Sequence, residues 1–187
     1  MKKYSQRAGA TGALLALAAL VAAPQVAFAQ AKAGNATTGY GEVSYLAATH
    51  KESSVTYRPA AVRLAGGADV MPGLGLEGML AFGAKDGTSG VQSAQLSTLA
   101  GVYVKPHVEL APGVEVYARA GYANMAWSTK ATASSTAVDK SGNSAGYGVG
   151  LNYTVGEKMT LGVDYMSYYN KSSVTLTGVA VSFGLKF

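Results

Sequence analysis

At seven positions of this 187-residue chain, a single acidic or basic side chain stands within a stretch in which apolar residues alternate with small or polar ones. A β-strand points successive side chains to opposite faces, so these charges lie opposite the apolar rows. Where that face is turned toward the interior of the fold, the charges must pair with one another, because an unpaired ion away from water is costly. We predict that Glu77 and Asp164 pair with Arg119 and Arg63. The full predicted set of enclosed charges is Glu42, Arg63, Glu77, Glu115, Arg119, Asp164 and Lys186.

Two kinds of chemistry fit such a set of enclosed charges. One is a static ion-pair network that fixes strand register and blocks conduction. The other is a gated narrow pore whose salt bridges exchange partners. We adopt the static network as the leading interpretation and keep the pore as its alternative.

The chain offers few side chains for catalysis or metal binding. It contains no Cys, which excludes thiol catalysis, disulfides and thiolate metal sites. Its two histidines, His50 and His107, lack metal-ligand spacing, and neither carries the His-x-Ser-Asn signature expected of lipid A deacylases. No GxSxG, P-loop or dinucleotide-binding motif is present in a suitable context. We predict no enzyme activity, no catalytic or metal-binding residue and no cofactor, and we expect both histidines in solvated loops.

The elements that must position the charges are β-strands, since apolar residues recur at every second position. Eight such segments follow one another, near residues 39–48, 57–65, 74–83, 92–105, 115–122, 146–155, 159–166 and 174–187. The facing of the fourth is undecided, because Val102 and Val104 compete with Leu99 and Tyr103 for the apolar face. Polar stretches at 50–56, 85–90 and 128–144 predict loops, and Pro-containing stretches at 66–73 and 105–113 predict turns.

The polarity of the two strand faces indicates a membrane barrel. The less apolar face is dominated by Gly, Ala, Ser and Thr with isolated charges, whereas soluble sandwiches and lipocalin-like barrels turn their apolar face inward. We therefore predict an all-β fold, an eight-stranded antiparallel up-and-down transmembrane β-barrel. Eight aromatic residues are expected to form its interfacial girdles: Tyr45, Tyr122, Trp127, Tyr147, Tyr153, Tyr165, Phe183 and Phe187.

The N-terminal segment predicts export. A basic stretch with Lys2, Lys3 and Arg7 precedes the apolar run 13–23, and Ala27-Phe28-Ala29 supplies the small residues that a signal peptidase reads. We predict a signal peptide over residues 1–29 and one barrel domain over residues 30–187. The formal charge of +5 derives partly from the signal, and no basic cluster follows it, so we predict no nucleic-acid binding.

Four stretches and the C-terminus resemble the small outer-membrane β-barrel family, which includes OmpX/Ail-type proteins and the membrane domain of OmpA. The stretches are GLGLEGMLAFGAK (73–85), VEVYARAGYA (114–123), GYGVGLNY (146–153) and GVDYMSYYNK (162–171). The resemblance implies an outer-membrane location in a Gram-negative bacterium. It also implies that the alternating C-terminal residues Phe183, Leu185 and Phe187 are the signal read by the barrel-assembly machinery.

From these observations we expect a monomeric protein with a structural or surface-interaction, adhesin-like role. The alternative is a narrow passive channel for small solutes, and a lipid A-modifying enzyme is a distant third. The expected partners are outer-membrane lipids and lipopolysaccharide, the assembly machinery during biogenesis, and an extracellular ligand bound through the outer loops.

Overall fold

The fold is a single antiparallel β-sheet. The computed structural model describes residues 38–131 and 137–187, so the predicted signal peptide lies outside the described residues. None of the described residues belongs to a helix long and apolar enough to span a membrane. The strands are β1 (Gly39–Glu52), β2 (Val55–Tyr57), β3 (Ala60–Met71), β4 (Leu74–Lys85), β5 (Gly87–Ser89), β6 (Gln92–Ala111), β7 (Val114–Ala131), β8 (Val138–Val155), β9 (Met159–Lys171) and β10 (Val174–Lys186).

Eight of these strands are long, and each pairs with the next long strand along the chain. The last strand, β10, pairs with the first, from Tyr40 opposite Lys186 to Glu52 opposite Val174, and this pairing closes the sheet. The short strands β2 and β5 pair with the ends of β1 and β6. The prediction of an eight-stranded up-and-down barrel is confirmed.

The two ends of the barrel differ in their connections. The terminal end carries Gly39, Phe187 and three short turns, at 72–73, 112–113 and 156–158. In two of these turns Pro is followed by Gly with a φ of 77°, a left-handed conformation that Gly adopts without steric cost. The opposite end, called here the far end, carries the turns at 53–54, 90–91 and 172–173, together with the end of β7 at Ala131 and the start of β8 at Val138.

Several predicted loops and turns are wrong because their polar residues are paired in strands. Within the predicted loop 128–144, residues 128–131 belong to β7 and residues 138–144 belong to β8, and Thr129 lies opposite Val138. The predicted turn 105–113 is reduced to two residues, since β6 continues to Ala111. Ser, Thr and Lys in these segments resemble loop residues by composition, but backbone pairing requires no apolar side chain.

The strand faces alternate as predicted, with the apolar rows pointing outward. Outward residues such as Val102, Val149 and Val181 are 63–68% exposed. Seven of the eight predicted girdle aromatics are exposed on this face. Trp127 is an exception, since it is 5% exposed and lies inside the barrel. The girdle prediction is therefore wrong for Trp127.

A bulge explains why the sequence of the fourth predicted strand fits no single alternation of apolar and polar residues. In β6, Leu96 lies opposite Trp127 and Thr98 lies opposite Ala126, so Ser97 is the additional residue. Leu96 and Leu99 are both buried although they are three positions apart. Beyond the bulge, Tyr103 points inward while Val102 and Val104 point outward. Because a bulge inverts the phase of the alternation, no single phase fits the whole strand.

Candidate functional site

The centre of the barrel holds a buried ion pair between β3 and β9. Arg63 Nη1 donates to Asp164 Oδ1 at 2.8 Å, and Nη2 donates to Oδ2 at 2.5 Å. Arg63 also donates to the Tyr168 hydroxyl at 2.8 Å and to Ser44 Oγ at 3.1 Å. Both side chains of the pair are fully buried, and a bidentate geometry of this kind gives a strong, directional contact.

A second arginine, on β7, joins this pair to two more carboxylates. Arg119 Nε lies 2.7 Å from Glu77 Oε1, and Nη2 donates to Glu42 Oε1 at 2.9 Å. Its Nη1 donates to Asp164 Oδ2 at 2.9 Å. Glu42 also lies 3.2 Å from Arg63 Nη2. Five of the seven predicted charges thus lie in one network, and it contains the pairs Glu77–Arg119 and Asp164–Arg63.

A third buried cation, Lys105, lies nearer the terminal end than the two arginines. The sequence did not predict it as an inward-facing charge. Its Nζ lies 4.2 Å from the centre of the Tyr40 ring and 4.4 Å from that of Tyr117. The Tyr40 hydroxyl donates to Glu77 at 2.7 Å, which links this layer to the central network. Lys105 points inward because, beyond the bulge in β6, the odd-numbered residues Tyr103 and Lys105 face the interior. Without knowledge of the bulge, the sequence does not indicate this facing.

The remaining two predicted charges belong to a separate cluster at the terminal end. Glu115 Oε2 lies 3.4 Å from both Lys186 Nζ and His107 Nδ1, and Glu115 Oε1 lies 3.9 Å from Lys105 Nζ. His107 Nε2 lies 3.0 Å from Asp69 Oδ1. The expectation of a loop position for His107 is wrong, because β6 extends through this residue.

The far end of the interior is filled by aromatic rings around one carboxylate. The His50 ring lies 5.7 Å from the Trp127 ring, which lies 5.8 Å from that of Tyr169. Glu52 accepts a hydrogen bond from Trp127 Nε1 at 3.4 Å and another from Lys140 Nζ. His50 is 2% exposed, so the expectation that it is a solvated loop histidine is also wrong. We call these five residues the far-end cluster.

One cavity lies inside the barrel, and another lies on its outer surface. A cavity of about 10 Å³ beside His50 and Trp127 has room for at most one water molecule. A larger concavity of about 790 Å³ lies on the outer surface, where Val116, Val149 and Val163 line it. Among the described residues, no group of three His, Cys, Asp or Glu side chains is arranged to hold a metal ion.

Residues 13–187 match the model of the family described as outer membrane protein beta-barrel domain. The chain belongs to this family. No curated protein matches it. Membership of this family places the protein in the outer membrane, where the outward apolar rows contact lipid.

Solved structures support the same fold. The chain is 16% identical to Ail, the attachment invasion locus protein of Yersinia pestis, solved in complex with the heparin analogue sucrose octasulfate. That alignment has a TM-score of 0.62 and covers 81% of this chain and 99% of Ail. Neisserial surface protein A is 15% identical, with a TM-score of 0.65, and 80% of this chain and 97% of that one are covered. OprG from Pseudomonas aeruginosa is 10% identical at a TM-score of 0.52, with 79% and 95% covered.

The predicted assembly residues lie on the outward face of the closing strand of this family member. Phe183 and Leu185 lie opposite Val43 and Gly41 of β1. Phe187 exchanges two backbone hydrogen bonds with Gly39, at 2.9 and 3.0 Å. All three side chains are 44–54% exposed, so each is available to lipid or to another protein.

Proposed function

We propose that this outer-membrane barrel is closed to solutes and has a structural or surface-interaction role. The central network carries the proposal. Arg63 and Arg119 are fully buried between Glu42, Glu77 and Asp164, and each charge contacts at least one opposite charge. Opening a path would separate buried ions, and breaking such a pair costs about 3–5 kcal/mol.

Large uncharged side chains extend this closure along the barrel axis. Leu46, Leu99, Met125 and Met166 are fully buried beyond the network, between it and the far-end cluster. An eight-stranded barrel has an interior just wide enough for side chains to fill. A solute would therefore meet an ionic layer, an apolar layer and an aromatic layer in succession.

The far end is proposed as the outer surface of the cell. Barrels of this kind place their short turns in the periplasm, and the terminal end carries the Pro-Gly turns. Lipopolysaccharide, an extracellular ligand and the assembly machinery are the proposed partners, with Phe183, Leu185 and Phe187 read by that machinery. The sucrose octasulfate complex of Ail, a protein of the same fold, supports ligand binding as a role that this fold can host.

Planar-bilayer recording of the purified protein tests the proposal. We expect no conductance steps from the wild type in symmetric salt, with a porin inserted under the same conditions as the positive control. Regular steps from the wild type would favour the alternative, a narrow passive channel.

Mass spectrometry of lipopolysaccharide after incubation with the protein tests the enzyme alternative.

A further inference from the structure

The far-end cluster contains a buried histidine with an unsatisfied ring nitrogen. His50 is buried, and its Nε2 has no hydrogen-bond partner among the described residues. Glu52 Oε2 lies 3.7 Å from this nitrogen, which is beyond hydrogen-bonding distance. A buried polar atom without a partner is costly and rare in native proteins, so this nitrogen requires a physical explanation.

The surroundings of the His50 ring are aromatic and apolar. The Tyr57 ring lies 5.9 Å from it and the Trp127 ring lies 5.7 Å from it. Leu96 of β6 and Leu176 of β10 line the small cavity beside it. That cavity has room for at most one water molecule, so it is too small to hydrate a charged ring.

The carboxylate nearest in sequence to His50 is already shared between two donors. Lys140 donates to Glu52 Oε1, and Trp127 Nε1 donates to Glu52 Oε2 at 3.4 Å. A protonated His50 would therefore compete with Trp127 for the same oxygen. The titratable side chains around the ring are Glu52 of β1, Tyr57 of β2, Lys140 of β8 and Tyr169 of β9.

The far-end cluster lies beyond the lipid-facing rows of the barrel. Lys51, the residue next to His50, is exposed on the outer face of β1. Lys130, three residues beyond Trp127, is exposed on the outer face of β7. Lysine is costly on a face that contacts hydrocarbon, so this level of the barrel adjoins water or polar head groups.

The two titratable groups that face each other in the cluster prefer opposite charge states. Burial lowers the pKa of His50 from its ordinary value, although the charge of Glu52 opposes this shift. Burial disfavours the charge of Glu52 as well, but hydrogen bonds from Lys140 and Trp127 lower the pKa of Glu52. At neutral pH the cluster therefore holds a neutral imidazole beside a carboxylate.

We propose that the far-end cluster is an acid-sensitive closure, in which protonation of His50 draws Glu52 away from Trp127 and opens the aromatic layer to water. Below about pH 6.5, the ordinary pKa of histidine, a hydrated imidazole binds a proton that the buried ring resists. Acid therefore favours the open arrangement, and the closed one returns as the pH rises.

This closure goes beyond the role proposed above. The central network contains no histidine, so we expect it to keep the barrel closed in mild acid. Only the source of the proton, the medium outside the cell, rests on the proposed orientation of the far end.

The fluorescence of Trp127, the one Trp of the chain, tests the closure. In the mature protein purified from outer membranes, acrylamide quenching is measured by fluorescence lifetime from about pH 8 to about pH 5. We expect the quenching constant to rise in acid, with a midpoint below about pH 6.5. His50→Phe keeps a ring at this site that binds no proton, so its quenching should lose the dependence on pH.

His107→Gln is the matched control, because His107 is the other histidine of the chain and lies at the terminal end. This variant should keep the acid response of Trp127. NMR of the wild type with labelled histidine gives a second measurement that does not depend on the folding of His50→Phe. With His107→Gln assigning the two signals, the His50 imidazole should titrate below about pH 6.5.

The possible results separate this proposal from the closed barrel. Quenching that is independent of pH in the wild type would overturn the acid-sensitive closure, as would an equal acid response in His50→Phe. A His50 imidazole that titrates like a solvated histidine would overturn it as well. Conductance steps would overturn only the closed barrel, because the fluorescence of Trp127 reports on the far end alone.

Discussion

Arg119 is the residue on which the interior depends most, since it contacts Glu42, Glu77 and Asp164. Its replacement by Ala leaves these buried carboxylates with fewer cations to neutralise them. We predict that Arg119→Ala lowers the free energy of unfolding by about 3–5 kcal/mol. Urea unfolding of the barrel in detergent micelles measures this, followed by the fluorescence of Trp127, the one Trp of the chain.

Lys130→Ala is the matched control for that measurement, because it removes an exposed cation from the same strand. Its effect should be within about 0.5 kcal/mol. If both variants unfolded at the wild-type urea concentration, the network would have no structural role.

Glu52 is predicted to hold the far-end cluster in place. It accepts hydrogen bonds from Trp127 and Lys140, so Glu52→Ala should loosen the ring of Trp127 and admit small solutes to it. We expect stronger quenching of Trp127 fluorescence by acrylamide. The control is Asp139→Ala, which removes a nearby carboxylate bonded to Ser128 instead. Equal quenching in the two variants would contradict the assigned role of Glu52.

The bulge in β6 leads to the prediction that one residue of this strand can be deleted with little effect on stability. Ser97 is the additional residue, so deleting it leaves Leu96 opposite Trp127 and Thr98 opposite Ala126. We expect the deletion to change the free energy of unfolding by no more than about 1 kcal/mol, because no side chain changes face. The same urea titration measures it.

Deletion of Ala100 is the control for Ser97. Ala100 lies in the regular part of β6, opposite Asn124, and its loss moves part of the strand by one residue. A shift of one residue turns every side chain of that part to the wrong face, so this variant should fail to fold. Equal behaviour of the two deletions would show that the bulge at Ser97 is misplaced.

These strands also show which side-chain directions and contacts the sequence predicts and which it does not. Regular alternation was enough to orient Arg63, Arg119 and Asp164 and to predict their pairing, because a barrel of this size leaves enclosed charges few other partners. It failed for Lys105, whose strand changes phase at a bulge. Alternation also failed for His50 and Trp127, because the strand residues at the far end of the barrel resemble loop residues in composition.

At the scale of the whole molecule, the closing strand is predicted to direct assembly. Phe187→Ser changes an outward ring at the end of β10 and leaves the strand pairing intact. We expect less folded barrel in the outer membrane of cells, but unchanged refolding in detergent. Heat-modifiable migration on gels measures both, with Tyr122→Ser as a control that removes an outward ring from β7. Equal losses for both variants in cells would remove the special role of Phe187.

The pairing of Gly39 with Phe187 brings the two ends of the barrel sheet into direct contact. A short linker could therefore join them without altering any strand pair, and new termini could be opened at the turn between Ser172 and Ser173. Such a circular permutant would retain the architecture while moving Phe187 to an internal position. It would separate what the barrel needs in order to fold from what the cell needs in order to recognise it.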